Sequence, residues 1–324
     1  MTIKLTPERT SNLIELCLKI LSQEVITIRD LAKVTGKMVA SEPGVDYAPL
    51  FYKDLEHEKD KKKLQMYKGR FDQTIKLSDN SKEIIYKWID FLPSAQKPII
   101  RSAPSIILYS DSSKKGWGGV NSTNNTDTQG FWDESEKEEH INILELKAAI
   151  LTIQALAADV SNAHVRIYMD NTVAISYINK FGDKSVIMHK LAKDIWWWCK
   201  DRNIWLSAAH IPGKDNCEAD KLSRQVNEDM EWKLNPEYFK MLEQKVGNIN
   251  VDLFASRLNH QIPKYVAYKP DANAIAIDAF TLTWNEKISY LFPPFSMISH
   301  CIQKIILDKV ETALLIAPLW PTQV

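Results

Sequence analysis

The sequence predicts an α/β protein: a mixed five-stranded sheet with flanking helices, preceded by a helical block and followed by a small α/β block. Three observations carry this. Over 1–100, apolar residues recur at helical spacing. From 103 to about 226, short strand-like runs interleave with longer Leu-, Ile- and Ala-rich stretches. Over 230–324, isolated strand-like runs return around one helical stretch. These three blocks are the expected domains.

In the first block, Thr6-Pro7-Glu8 reads as a helix start, with Thr as cap and Pro in the first turn. Leu13, Leu16, Ile20 and Leu21 then follow at helical spacing. Thr27-Ile28-Arg29-Asp30 opens a second helix carrying Leu31, Ala32 and Val34. A charged third stretch runs from Lys53 to Arg70, with seven basic and four acidic side chains. Ser81 to Phe91 makes a fourth helix around Trp88.

The middle block reads β-β-β-α-β-α-α-β-α. Its strands are Ser105–Ser110, Gly116–Val120, Gly130–Trp132, His164–Met169 and Ile204–His210. Its helices are Asn142–Val160, Asn171–Lys180, Ser185–Arg202 and one starting near Asn216. In the third block Asn250–Phe254 and Ala313–Ala317 are strand-like, and Ser296–Val310 is helical. The end at Trp320-Pro321-Thr322-Gln323-Val324, with no polar tail, suggests a fragment of a longer reading frame.

Composition narrows the class. The 324 residues are 45% apolar, enough for a sizeable core and against disorder. Lys plus Arg equals Asp plus Glu at 41 each, so overall charge gives no hint of a nucleic-acid partner. Cys17, Cys199, Cys217 and Cys301 are scattered without a zinc-type spacing, which fits free thiols in a reducing compartment. There is no signal core and no long apolar run, so an intracellular, cytoplasmic or nuclear protein without a membrane partner is expected. Lys61-Lys62-Lys63 sits among acids and reads as a solvated helix face rather than a targeting signal.

Four acids form the chemical signal. Asp111 ends the first strand, Glu145 lies early in the long helix, Asp170 ends the fourth strand, and Asp220 lies in the last helix. Singly, Asp111 and Asp170 read as turn or cap residues, Glu145 as a solvated helix acid, and Asp220 as half of an ion pair with Lys221 or Arg224. Together they make a metal-ligand set. Phosphodiester hydrolysis needs an activated water and a stabilised leaving oxygen, and two divalent cations roughly 4 Å apart supply both. Hard carboxylate oxygens suit Mg²⁺ or Mn²⁺. His210, ten residues before Asp220, stands on a loop from which an imidazole could move protons; alone it reads as a surface loop histidine.

These words in this order resemble type 1 ribonuclease H: Ser110-Asp111-Ser112, Asn142-Ile143-Leu144-Glu145-Leu146-Lys147-Ala148, Met169-Asp170-Asn171, and His210-Ile211-Pro212-Gly213 followed by Ala219-Asp220-Lys221-Leu222-Ser223. The resemblance implies a ribonuclease H-like fold and cleavage of the RNA strand of an RNA:DNA hybrid, leaving a 3′-hydroxyl and a 5′-phosphate. It assigns Asp111, Glu145, Asp170 and Asp220 to two metal ions and His210 to proton or product handling. Asn142, with Asn171 beside the third acid, falls where the family contacts the hybrid; Asn142 also reads as a helix cap. The variant is similar to the ribonuclease H of DIRS-type retrotransposons. The words carrying this are His140-Ile141-Asn142, Tyr177-Ile178-Asn179-Lys180, Ile195-Trp196-Trp197-Trp198 and Ala209-His210-Ile211-Pro212-Gly213. Val25 to Lys33 resembles the region trailing the polymerase palm of such polyproteins, which implies an upstream reverse transcriptase palm as partner. The polymerase's own paired aspartates are absent, so no DNA synthesis is expected.

Two features bear on substrate grip. Phe181-Gly182-Asp183-Lys184 is a short link where cellular relatives often carry a basic handle, which predicts weak binding in isolation. Trp196, Trp197 and Trp198 span about 200° of a helix, so one or two pack inside and the third is left to be exposed and stack. The basic excess of 53–70 reads as a solvated helix before a phosphate track. The third block, with Asn250-Val251-Asp252-Leu253-Phe254 and Phe292-Pro293-Pro294-Phe295, looks like a reduced phage-type adenine-N6 methyltransferase; an unrelated accessory α/β domain is the other reading. Phe292 stands where that family places a hydrogen-bond acceptor, and no glycine-rich loop follows Asp252, so loss of methyl transfer is expected. The alternative to an active nuclease is a catalytically weak nucleic-acid-binding module of a decayed retroelement polyprotein. A third reading keeps the site but acts on duplex DNA, as integrases of this fold do.

Overall fold

The computed structural model describes residues 1–60, 70–225, 231–319 and 321. Lys61, Lys62, Lys63 and the rest of 61–69, half of the charged 53–70 stretch, lie outside the described residues. So do the expected boundary near 226–230 and nearly all of the Trp320–Val324 end. The helices in chain order are α1 (Pro7–Leu21), α2 (Ile28–Ser41), α3 (Pro49–Asp60), α4 (Asp79–Phe91), α5 (Glu134–Lys137), α6 (Ile141–Leu156), α7 (Thr172–Asn179), α8 (Val186–Asp201), α9 (Cys217–Arg224), α10 (Pro236–Val246) and α11 (Ile298–Leu307). The principal strands are β1 (Ile106–Ser112), β2 (Gly116–Asn121), β3 (Thr126–Phe131), β4 (His164–Met169) and β5 (Trp205–His210). Short strands β6 (Val251–Asp252), β7 (Val266–Ala267), β8 (Ala276–Ile277), β9 (Ser289–Leu291) and β10 (Ala313–Leu315) follow.

The chain folds as two compact units, residues 1–103 with 177–205 and residues 104–176 with 206–324. The middle block expected at 103–226 contributes to both.

In the first unit the first two helix starts are those the sequence predicts, whereas α3 begins at Pro49 rather than Lys53 and α4 at Asp79, capped by Ser78, rather than at Ser81. The Thr6 side chain accepts the Arg9 N–H, with Pro7 in the first turn, and Thr27 forms a capping box with Asp30. The block is not wholly helical: Thr2–Ile3 pairs with Lys97–Pro98 and Ile26–Thr27 with Thr74–Ile75. Trp88 is fully buried, with Phe51 edge-on at 5.2 Å. The turn between α7 and α8 bends through left-handed backbone at Phe181 and Gly182. This puts the Phe181 ring flat on the buried Trp196, 3.9 Å between centroids. The expected exposed tryptophan is not found. Trp197 is half-buried against Phe51, and Trp198 is half-buried with the Arg202 guanidinium 4.1 Å over its ring.

The second unit holds the mixed five-stranded sheet the sequence predicts, in the order β3-β2-β1-β4-β5. β1 runs antiparallel to β2 and parallel to β4, with Asp111 opposite Gly118 and Leu108 opposite Ile167. Two glycines let helices press on both faces. A Cβ at Gly118 would lie 2.5 Å from Leu222 of α9, and one at Gly119 would lie 2.2 Å from Thr152 of α6. Adjacent strand residues point to opposite faces, so α9 and α6 cover opposite sides of β2. The helices carrying Asp220 and Glu145 are thereby drawn onto the sheet. Four-residue α5, capped by Asp133, adds to the predicted order.

The C-terminal part carries a parallel sheet, β6-β9-β10, around Val251, Leu291, Trp284 and Cys301. Its Arg257 donates to both Glu136 carboxylate oxygens and to the Phe131 carbonyl, tying this part to α5 and β3. All four cysteines are free thiols, with Cys217 alone exposed. Among the described residues no helix is long and apolar enough to cross a membrane.

Candidate active site

Asp111 is the penultimate residue of β1, and Asp170 follows the last residue of the neighbouring β4. Parallel pairing of the two strands brings their C-terminal ends together. Glu145 comes from α6, one turn past its cap. One carboxylate oxygen of each lies within 4.8 Å of the other two.

Asp111 and Glu145 are only 6% and 5% exposed, whereas Asp170 is exposed. Burial and then the like charges of Asp111 and Asp170 push the Glu145 carboxyl up to about 9. Its Oε2 is buried with no hydrogen-bond partner among the described residues. Asp111 is raised to about 6, again by burial first and by the charges of Asp220 and Asp170; a 2.7 Å hydrogen bond donated by Ser223 opposes the rise. Ser223 thus orients Asp111. Asn216 donates to the Ser110 carbonyl at 2.9 Å, holding the start of α9 on β1. Buried, mutually repelling carboxyls with an unpartnered oxygen make a donor set that fits hard divalent cations: charge and ligation would both be satisfied by them.

Asp220 does not join this triad. Its Oδ1 accepts from Arg224 Nε at 2.7 Å, one turn along α9, and its side chain is 40% exposed. The ion-pair reading of Asp220 therefore describes its geometry here, while its charge still reaches Asp111. Asp170 Oδ2 lies against Gly213, where a Cβ would come within 3.0 Å. The glycine after Pro212 keeps that side of the acid open. His210 ends β5 and is exposed, outside the cluster of three.

Asn142 and Asn171 meet: Asn171 Nδ2 donates to Asn142 Oδ1 at 2.9 Å. The cap reading of Asn142 is corrected. The α6 cap is His140, whose Nδ1 accepts the Asn142 N–H at 3.1 Å. Asn171 Oδ1 accepts the Ala174 N–H at the start of α7, so its orientation is set by the helix.

A separate cavity of about 710 Å³ opens in the C-terminal part, lined by Phe254, Phe280, Phe292, Phe295, Tyr268 and Trp232 among others. Both sequence words singled out there, around Asp252 and around Phe292, border it. Asp252 itself is buried and raised to about 6 by desolvation, despite accepting the Gln261 and Phe254 N–H groups.

No family model matches the chain. It is 32% identical over 135 residues to the enzymatic polyprotein of Cauliflower mosaic virus, in both the D/H and Strasbourg strains. The match covers 38% of this chain and 19% of the viral one, so the chain spans about a fifth of the length of the curated relatives it matches. Among solved structures, LC11 ribonuclease H1 in complex with an RNA/DNA hybrid matches 38% of this chain and 96% of its own, at 20% identity and TM-score 0.33. Ribonuclease H1 of Halobacterium salinarum matches 37% and 95%, at 15% identity and TM-score 0.31. A foamy viral protease–reverse transcriptase with double-stranded DNA matches 64% and 36%, at 12% identity and TM-score 0.25. The sheet of the second unit is the mixed five-stranded one expected, and 38% of the chain is similar in sequence to a viral enzymatic polyprotein.

Proposed function

We propose that this chain is a ribonuclease H-type domain of a retroelement polyprotein, hydrolysing the RNA strand of RNA:DNA hybrids. The observation that carries the reading is the convergence of Asp111, Glu145 and Asp170, one carboxylate oxygen of each within 4.8 Å of the other two. Two divalent cations, Mg²⁺ or Mn²⁺, held by these acids and Asp220, would supply an activated water and neutralise the leaving oxygen. Asp111, which accepts a hydrogen bond from Ser223, lies within ligand distance of both the buried Glu145 and the exposed Asp170, and with them would hold the metal ions. The joined Asn142 and Asn171 amides present donors for the hybrid's minor groove. His210, exposed at the end of β5 rather than on the loop that follows, would take a proton from or give one to water or product. Asp220 has to leave Arg224 to complete the site.

The finer assignment, to a DIRS-type element with an upstream reverse transcriptase palm, rests on the sequence words around His140, Tyr177 and Trp196. The C-terminal part we read as a methyltransferase-like relic: an apolar Phe292 lines its cavity where an acceptor would be required. Retained binding of S-adenosylmethionine in calorimetry would sink that part alone. One observation favours the weaker alternative, a nucleic-acid-binding module with little activity: the Asp220–Arg224 pair withholds the fourth acid.

The test is cleavage of an end-labelled hybrid, with Mg²⁺ against EDTA, alongside duplex DNA. RNA-strand cleavage that needs the metal and is lost in Asp111→Asn supports the reading. An Asp111→Asn protein cutting at the wild-type rate, or preferential cutting of duplex DNA, overturns it.

A further inference from the structure

Within the first unit, far along the chain from the acidic words, α3 and α8 assemble a second set of ligand-type side chains. Asp54 and His57 stand three positions apart on α3, so they share a helix face. His189 on α8 meets them, and one ligand atom from each residue lies within 4.8 Å of the other two. Asp54 Oδ1 is 2.7 Å from His189 Nε2. The two imidazole rings are 4.3 Å apart between centroids, tilted by 58°. The His189 side chain is only 9% exposed. Its seat depends on Gly182, whose φ is +97° and where a Cβ would come within 2.2 Å of His189 Nδ1. Lys193 bonds the other oxygen of Asp54.

We propose that Asp54, His57 and His189 form a binding site for a borderline transition-metal ion of the Zn²⁺ class, joining α3 to α8. The donor set decides the class. Two imidazoles and one carboxylate suit Zn²⁺ and its neighbours, whereas Mg²⁺ prefers oxygen alone. The acidic triad around Glu145 has the opposite composition, so the two sites select different ions. Three protein ligands leave a fourth position for water. Binding displaces the proton on the Asp54–His189 contact, and proton release accompanies it. Lys193, holding the outer oxygen of Asp54, orients the carboxylate as an outer-shell partner does. Because the ligands come from two helices, the bound ion stabilises the folded state by mass action.

The test uses the full chain stripped with a chelator. Co²⁺, a spectroscopic stand-in, is added first, then Zn²⁺ or Mg²⁺ as competitor. One equivalent of Co²⁺ is expected to give a tetrahedral visible band, displaced by Zn²⁺ but not by excess Mg²⁺. The band is lost in His57→Ala, whose side chain is half-buried, and in Asp54→Asn, each shown folded by circular dichroism. It is kept in Asp111→Asn, which makes the outcome independent of the proposed nuclease. No band in the wild-type chain, a band surviving both α3 variants, or a band lost in Asp111→Asn overturns the proposal.

Discussion

Glu136 and Glu145 are two buried glutamates of the same unit, at 9% and 5% exposure, and they behave oppositely. Burial pushes both carboxyls up. At Glu136 the hydrogen bonds and charges of Arg257, with Lys147 and the Asp133 N–H, outweigh burial and hold it below the usual range. At Glu145 the neighbours are Asp111 and Asp170, which add to burial and take it to about 9. Low exposure alone therefore says little about role. The difference is the counter-charge: Glu136 has one built into the fold, and Glu145 has to import it. A buried acid that lacks its own cation is the mark of a site rather than of a core.

The largest effect that tests this contrast is on cleavage. Glu145→Gln keeps the shape and removes the charge that would ligate metal. Loss of several kcal/mol of transition-state stabilisation corresponds to roughly 10³-fold in rate, read in the labelled-hybrid assay. Glu136→Ala should leave cleavage by the folded fraction near wild type. It strands Arg257, itself mostly buried, and should cost about 3 kcal/mol of stability in urea unfolding. Cleavage lost in Glu136→Ala at unchanged stability would break the contrast.

The same pair predicts opposite pH dependences of stability. The folded chain keeps the Glu145 proton that the unfolded chain releases near 4.5. In EDTA this group therefore contributes most at low pH, and its contribution declines as pH rises toward about 9. The decline is up to roughly 1.4 kcal/mol per pH unit. Glu136 is depressed, so its contribution is present above the ordinary glutamate range and is lost as pH falls. At pH 8 in EDTA, Glu145→Gln should melt higher than wild type. Added Mg²⁺ should raise the wild-type melting temperature and leave that of Glu145→Gln nearly unmoved.

Much of this was legible in the sequence, and the failures have physical reasons. The strand His164–Met169 stands where it was expected, because alternating burial inside a sheet writes a clean pattern. β1 runs on through Asp111 to Ser112, past the expected Ser110, because pairing with Trp117 and Gly118 holds two polar residues in the ladder. α5 is too short for any periodicity, yet its Asp133–Glu136 capping box was a readable signal. α10 carries a readable start at Asn235-Pro236-Glu237 and apolar Phe239, Leu242 and Val246 at helical spacing. Capping by His140 was hidden because histidine is not a usual cap residue. The three acids of the triad were readable as types in order; for Asp220 the sequence offered both a place in the metal set and an ion pair with Lys221 or Arg224, and could not choose between them. That depends on whether a side chain on α9 turns toward the sheet or toward its own helix. The Asp54–His57–His189 set left no sequence signal beyond a three-residue spacing, since its third member comes from a distant helix.

The smallest predicted effect concerns that last side chain. The Asp220–Arg224 pair is an exposed i,i+4 contact, with side chains 40% and 64% exposed, so its own worth is about 0.3–0.5 kcal/mol. Arg224→Ala should thus barely change stability. It removes a positive charge beside the acids, which both frees Asp220 and deepens the negative potential at Asp111. A few-fold drop in the Mg²⁺ concentration giving half-maximal cleavage is the expected result. The alternative role for Arg224 is a phosphate contact, and it gives a different signature. Then hybrid binding would weaken and its salt dependence would lose about one counterion's worth of slope. Measuring both in the same variant distinguishes a latch on the fourth acid from a grip on the substrate. The latch predicts tighter metal with unchanged salt slope, because Arg224 would then be spending its charge on Asp220 rather than on the nucleic acid.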